Sequence, residues 1–183
     1  NASRLMNAAV REFSAGQRVL QAAAVYGDFS QRLARRLGGE GQLTVLDVAS
    51  IQIANTRRKL APWPASSAHV ADLTEPVGAT FDAVCCFFLL HEVPPHARRR
   101  IVSNLLIAVE PGGKIVFVDY HRPRGWHPMR PIMALVFRYL EPFANSLLAE
   151  SIETLVPETA GFEWRKETLF GGLYQKVVGV RRS

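Results

Sequence analysis

Arg18-Val19-Leu20-Gln21-Ala22-Ala23-Ala24-Val25-Tyr26-Gly27-Asp28 is the stretch on which the fold turns. An apolar run ends in a turn at Gly27, and Phe29–Leu37 follows with Leu33 and Leu37 spaced i, i+4. The segment therefore predicts a buried strand over Arg18–Ala24, a tight turn and a helix. The pattern repeats outward, with Leu43–Val48 as a second strand and Ile51–Leu60 as a second helix. A shorter strand falls near His69–Ala71. Phe81–Leu90 is an almost uninterrupted apolar run, as expected of a central parallel strand covered on both faces. Pro95–Val109 predicts a helix with Ile101, Leu105 and Ala108 on one side, ended by Pro111-Gly112-Gly113. Lys114–Asp119 predicts another parallel strand. Strand and helix alternate throughout, which means βαβ units with right-handed crossovers and an α/β sheet.

After Asp119 the rhythm stops. Arg122–Pro131 combines Pro123, Pro128 and Pro131 with Arg122, Arg124, His127 and Arg130, and reads as a loop. Ile132–Leu148 reads as a helix interrupted at Pro142 and apolar on more than one face. It is either a core helix or a lid that dips Ile132, Met133, Leu135, Val136, Phe137, Leu140 and Phe143 into a membrane interface, beside Arg122, Arg124, Arg130 and Arg138. Glu163–Phe170 and Leu173–Val180, joined across Gly171-Gly172, read as a hairpin. No repeat or linker divides the 183 residues, so a single domain over 1–183 is expected.

Hydrophobic residues make up 48% and charged residues 21%, values of an ordinary globular chain rather than a disordered or spanning one. The net charge of +6 gathers in short clusters, Arg35-Arg36, Arg57-Arg58-Lys59 and Arg98-Arg99-Arg100. They fall near predicted helix ends, where cations suit the dipole. No aromatic-interleaved basic stripe accompanies them, so no nucleic-acid partner is expected. Cys85 and Cys86 are neighbours on a strand and point to opposite faces, which argues against a mutual disulfide and for a reducing compartment. Asn1–Val10 lacks the pattern of a secretory leader, and no run is long enough to span a bilayer. The expected location is cytoplasmic, with peripheral contact at the inner face of the membrane as its extension.

In an open α/β sheet a ligand sits beyond the carboxyl ends of the strands, at the switch point beside the first strand. Asp47 ends the second strand and is placed to accept both ribose hydroxyls of an adenine nucleoside. Asp72, followed by Leu73, ends the third and lies where an adenine amino group would be met. His91, just past the fourth strand, is a candidate general base or metal ligand. Asp119, Tyr120 and His121 end the fifth. If that strand persists, Asp119 and His121 share a face and with His91 form a candidate set for a divalent ion. Structural alternatives stand beside each. Asp47 also reads as a turn residue, Asp28 as the N-cap of the next helix, and Glu92 as a cap where the following helix starts. His91 also reads as a hydrogen-bonded structural histidine, Tyr26 as packing half-buried under its loop, and His127 and Arg130 as plain loop residues.

This ordered set resembles the class I S-adenosylmethionine-dependent methyltransferases over most of the chain. The resemblance implies a Rossmann-like fold with a mostly parallel seven-stranded sheet and an antiparallel C-terminal hairpin strand. It also implies S-adenosyl-L-methionine held by Ala23, Val25, Tyr26, Gly27, Asp47, Val48, Asp72 and Leu73. One motif departs from that family, whose first strand is followed by an acid and Gly-x-Gly-x-Gly. Here the acid is Gln21, the first two glycines are Ala23 and Val25, and Gly27 alone remains. A β-branched Val25 should narrow the pocket, and Tyr26 adds a large side chain with a hydroxyl.

The departure belongs to a wider pattern. Val25-Tyr26-Gly27-Asp28, Phe87-Phe88-Leu89-Leu90-His91-Glu92, Val118-Asp119-Tyr120-His121-Arg122-Pro123 and Phe170-Gly171-Gly172-Leu173-Tyr174-Gln175-Lys176 together resemble the rhodoquinone biosynthesis methyltransferase-like (RquA-type) proteins. That group implies exchange of a methoxy group of ubiquinone for an amino group, with S-adenosyl-L-methionine required and a divalent metal such as Mn²⁺ involved. Tyr26, His91, Asp119 and His121 are then the catalytic candidates, a lipophilic quinone is the partner, and His91, Asp119 and His121 are the candidate metal ligands. Two further classes stay open: an ordinary small-molecule methyltransferase, and a non-catalytic nucleoside-binding relative with a degenerate glycine loop. A nucleic acid methyltransferase is less well matched, because no Asn/Asp-Pro-Pro-Tyr type motif occurs.

Overall fold

The computed structural model describes residues 2–123 and 143–183. The proline-rich segment from Arg124 and the helix expected up to Pro142 lie outside the described residues, and so do His127, Arg130 and Arg138. In chain order the elements are α1 (Ala2–Val10), β1 (Arg18–Ala22), α2 (Phe29–Leu37), β2 (Gln42–Asp47), α3 (Ser50–Leu60), β3 (Ser66–Val70) and β4 (Phe81–Phe87). They continue with α4 (Pro95–Ile107), β5 (Val109–Tyr120), α5 (Ala144–Leu148), two 3₁₀ turns (Ile152–Thr154 and Pro157–Gly161), β6 (Phe162–Leu169) and β7 (Tyr174–Arg181).

The seven strands form one sheet in the order β3-β2-β1-β4-β5-β7-β6. β1 pairs in parallel with β2 and with β4, and β2–β3 and β4–β5 are also parallel, whereas β7 runs antiparallel to β5 and β6. The sheet is thus mostly parallel with an antiparallel C-terminal hairpin, as the strand-helix rhythm and the Gly171-Gly172 turn require. The switch point lies between β1 and β4, where crossovers leave to opposite sides and open a crevice at the strand ends.

β4 shows why the sheet is covered on both faces. Ala83, Cys85 and Phe87 pack with Leu5, Phe29, Leu33 and Ile53 from α1, α2 and α3. Val84 and Cys86 pack on the other side with Ile101, Val102 and Leu105 of α4 and Leu147 of α5. The Val, Leu, Ile and Phe side chains among them each stabilise the fold by roughly 1.5–3 kcal/mol on removal from water. The two cysteines are buried and unbridged, and burial pushes both thiols up in pKa.

Two local expectations change, and one element is new. Pro111-Gly112-Gly113 does not end the α4 helix; it is a bulge inside β5, where the register with β4 jumps from Phe81↔Val109 to Ala83↔Lys114. Gly113 is needed there, because a Cβ would stand 2.8 Å from the carbonyls of Asp82 and Glu110. Arg98-Arg99-Arg100 lies in the first half of α4, at the wrong end for the dipole. Its reason is pairing: Arg98 and Arg99 bind Glu150, and Arg100 binds Glu75. Finally, Ala2–Val10 is a helix, with Leu5 and Ala9 buried one turn apart. No helix among the described residues is long and apolar enough to cross a membrane.

Candidate cofactor and acceptor site

The carboxyl ends of β1, β2, β3, β4 and β5 surround a cleft of about 800 Å³, within the usual range of small-molecule sites, roughly 300–1,000 Å³. One half is built around Asp47. Its Oδ2 accepts the backbone N–H of Ala24 and its Oδ1 that of Ala49, each at 2.7 Å. The carboxylate therefore ties the β1 turn to the start of α3 and still has lone pairs directed at the cleft, since an ionised carboxylate offers about four acceptor positions. Val48 beside it is 72% exposed, an apolar surface at the cleft mouth. Asp72 is also exposed; the Thr74 backbone N–H and hydroxyl, both 2.8 Å from its Oδ1, hold it below the ordinary carboxylate range. Leu73 lines the cleft while packing into the core.

The β1 turn explains how a loop with one glycine follows this path. Ala23 sits in the left-handed region at φ +68, and Gly27 at φ +86. Ala23 is fixed from two directions. Its N–H donates to Leu46 O at 2.8 Å, and its carbonyl accepts Gln21 Nε2 at 2.9 Å. Gln21 is fully buried, so the residue standing at the family's acidic position serves as a donor that holds the turn. Val25 is half-buried, packing against the core while also lining the cleft. Tyr26 is 80% exposed rather than packed under the loop. Asp28 occupies the N-cap position of α2 without a side-chain cap bond; its carboxylate pairs with Arg32 at 2.8 Å. Lys59 Nζ donates to Gly27 O at 2.7 Å.

The other half of the cleft is aromatic. Phe88, directly after β4, has φ +55, a strained conformation for a bulky residue, of order 1–3 kcal/mol. Its ring makes edge contacts with His91 at 5.6 Å, Tyr120 at 5.3 Å and Tyr174 at 5.6 Å between centroids. Tyr120 and Tyr174 stack at 5.6 Å. Two left-handed non-glycine residues, Ala23 and Phe88, thus stand at the ends of adjacent strands on the switch point.

His91 is buried against this wall. Its Nδ1 is 2.7 Å from Asp119 Oδ1, while Asp119 Oδ2 accepts the Leu90 N–H at 2.9 Å and Oδ1 also accepts the Tyr120 N–H at 2.7 Å. A carboxylate can only accept, so Nδ1 donates its proton to Asp119, and Nε2 lies 3.9 Å from Glu92 Oε1. Glu92 itself is no helix cap: α4 starts at Pro95 with Pro94 as its N-cap, and Glu92 lines the cleft.

His121 does not join His91 and Asp119. It lies beyond the end of β5, where its backbone N–H donates to Leu173 O at 2.9 Å and its Nδ1 to Gly172 O at 3.1 Å. The candidate metal set is therefore not assembled, and among the described residues no group of three or more His, Cys, Asp or Glu side chains is arranged to hold a metal ion. Asp119 is committed to two backbone N–H groups and His91, the pattern of an orienting acid.

Several lining residues escaped the sequence reading. Ala2, Leu5 and Met6 of α1 close one side, and Phe88 and Tyr174 build the aromatic wall. The i, i+4 pair Leu5 and Ala9 was the available signal for α1. Phe88 was hidden in a strand-like run, and Tyr174 reaches the cleft only through the β7–β5 pairing.

An acid at the second strand end and a buried histidine across the switch point thus face one cleft of a Rossmann-like, mostly parallel sheet. The chain belongs to the methyltransferase domain family, whose pattern matches residues 19–113, more than half of its length. It is 28% identical to an uncharacterized methyltransferase of Synechocystis, over 56% of this chain and 48% of that one. It is 25% identical to the demethylmenaquinone methyltransferase of Listeria monocytogenes, over 74% of this chain and 58% of the relative. The chain thus spans about half the length of the curated relatives it matches. The fold is shared with the N-methyltransferase NodS of Bradyrhizobium japonicum in complex with S-adenosyl-L-homocysteine, at a TM-score of 0.67 and 15% identity, covering 99% of this chain and 85% of the other.

Proposed function

We propose that the chain is an S-adenosylmethionine-dependent transferase whose acceptor is a planar, lipophilic ring of the quinone class. The observation that carries this reading is the placement of the aromatic wall and the His91–Asp119 pair across one cleft from Asp47 and the β1 turn. The cleft residues fit the cofactor. Asp47 has acceptor capacity for two ribose hydroxyls, Asp72 is available to the adenine end, and Ala23–Gly27 lies where the amino acid end belongs. When bound, S-adenosylmethionine supplies an activated group for transfer. The chain's own residues supply orientation and proton handling: Phe88, Tyr120 and Tyr174 present ring faces and edges to a flat acceptor. His91 Nε2 accepts the proton that a hydroxyl of the acceptor's reduced, quinol form gives up, and Asp119 holds the imidazolium that results. Similarity to a demethylmenaquinone methyltransferase and resemblance to the RquA-type proteins both support a quinone. Such an acceptor resides in a bilayer, which calls for contact at the membrane surface.

A second reading, nucleoside binding without turnover, is favoured by Ala23 and Val25 standing where glycines let the backbone approach the cofactor. Calorimetry with S-adenosylmethionine and S-adenosylhomocysteine, then mass analysis of demethylmenaquinol and ubiquinone after incubation with and without Mn²⁺, separates the readings. A methylated or aminated quinone supports the transferase. Cofactor binding without product supports the second reading, and absence of binding by the folded protein overturns both.

A further inference from the structure

Arg98 is a fully buried cation with no exposed surface. Its Nε donates to Leu90 O at 2.9 Å and its Nη2 to Val93 O at 3.2 Å, so it grips both ends of the turn that carries His91 and Glu92. The same guanidinium donates to Phe143 O at 2.9 Å, Ser146 Oγ at 3.1 Å and Glu150 Oε2 at 2.8 Å. On the opposite side of the turn, Asp119 accepts the Leu90 N–H and the His91 ring. The Leu90 peptide is therefore held at its N–H by an acid and at its C=O by an arginine. A buried guanidinium left unpaired is strongly destabilising, so the acceptors from 90–93 and from 143–150 must stay together.

We propose that Arg98 is the positioning residue of His91: it locks the Leu90–Val93 turn onto residues 143–150 and so keeps the imidazole in the orientation that Asp119 sets. The planar five-donor fork is what the site requires. A lysine offers three donors from one point and cannot reach acceptors on both segments. The inference rests on the reading of His91 as the proton acceptor, and it links the segment after Pro142 to the reacting side of the cleft.

The test uses Arg98→Lys, with Glu150→Gln as the milder variant because that side chain stands at the rim of the network, 21% exposed. Ring ¹⁵N shifts of His91 report its tautomer without requiring turnover, and kcat is measured against KM for each substrate. In Arg98→Lys the single Nδ1–H tautomer becomes a mixture and kcat falls about tenfold or more, while cofactor affinity by calorimetry stays within about twofold. Glu150→Gln shifts both readouts in the same direction and less. A folded Arg98→Lys with the original tautomer and kcat overturns the proposal, as does a loss of cofactor affinity parallel to the loss of kcat. If Arg98→Lys does not fold, Glu150→Gln decides on the same two readouts. If the unaltered protein transfers nothing, the transferase reading fails while the ¹⁵N readout still decides on Arg98.

Discussion

Replacing Asp119 by asparagine keeps the side-chain shape and removes the charge at a site 1% exposed. The carboxylate accepts three N–H groups: Leu90 N at 2.9 Å on Oδ2, and His91 Nδ1 and Tyr120 N at 2.7 Å on Oδ1. An amide offers one oxygen and one donor. With its nitrogen in the Oδ2 position, two donors confront each other at Leu90. With its nitrogen in the Oδ1 position, Tyr120 N–H loses its acceptor and His91 must change tautomer so that Nδ1 accepts. Either arrangement loses one hydrogen bond to a charged group, worth about 1.5–3 kcal/mol, and weakens the rest, a total of about 2–4 kcal/mol. At about 2–4 °C per kcal/mol for a domain of this size, the melting temperature falls by about 5–15 °C. On the proposed reading, with His91 as the base and Asp47 as the ribose binder, kcat falls by about 10²–10⁴ while cofactor affinity changes little. Calorimetric melting, ¹⁵N shifts of His91 and single-turnover rates measure the three effects. A melting temperature within about 2 °C of the parent, together with an unchanged tautomer, would refute the view that this carboxylate holds the His91 turn.

Ala23→Gly removes a left-handed alanine, φ +68, relieving about 1–2 kcal/mol against about 0.5–1 kcal/mol of added unfolded-chain entropy. Stability should therefore rise by about 0–1.5 kcal/mol while S-adenosylmethionine affinity rises by calorimetry; weaker binding would show that the Ala23 methyl is a contact. Tyr26→Phe, at an 80% exposed position, should leave melting and S-adenosylhomocysteine binding unchanged and lower kcat; equal losses of binding and kcat would contradict an acceptor-side role. The ion pair between Glu12, which follows α1, and Lys176 of β7, at 2.7 Å, should be pH-dependent at both ends. Burial pushes Glu12 up, but Lys176 and Arg165 outweigh it and hold the acid below its ordinary range. Burial pulls Lys176 down, but Glu12 and Glu167 outweigh it and hold the amine above its ordinary range. The acid's contribution is present above its unfolded pKa, near 4.3, and is lost as pH falls through the lower folded value. The amine's contribution is present below roughly pH 10.4 and is lost as pH rises through the higher folded value. Thermal melts across pH should show both limbs, and Glu12→Gln should flatten the acid one; an unchanged acid limb would place the effect elsewhere.

The parts of the site legible from sequence were those carried by one strand end each. Asp47 and Asp72 each stand at or just past the end of a strand, so topology alone sends them to the crevice. Glu92 and the Pro111-Gly112-Gly113 turn were misjudged for a shared reason. Each sits at a boundary where a local preference competes with tertiary packing: Glu92 with the cleft wall, and the glycines with a close approach between β4 and β5. His121 failed as a ligand because β5 ends one residue too early and the hairpin captures its ring.

Periodicity and turn chemistry act over a few residues, which is why the chain by itself determined the α/β alternation, the parallel core strands, the antiparallel C-terminal hairpin and the crevice acids. Convergence acts across the sheet. The Asp119–His91 contact joins positions 28 residues apart, and Arg98 reaches Glu150 across 52. The aromatic wall exists only because β7 inserts beside β5 and brings Tyr174 against Tyr120. Which histidine is oriented, which arginine is buried and what closes the cleft were decided by strand order and burial, because hydrogen bonds between distant side chains form only after packing has removed the water that would otherwise satisfy them.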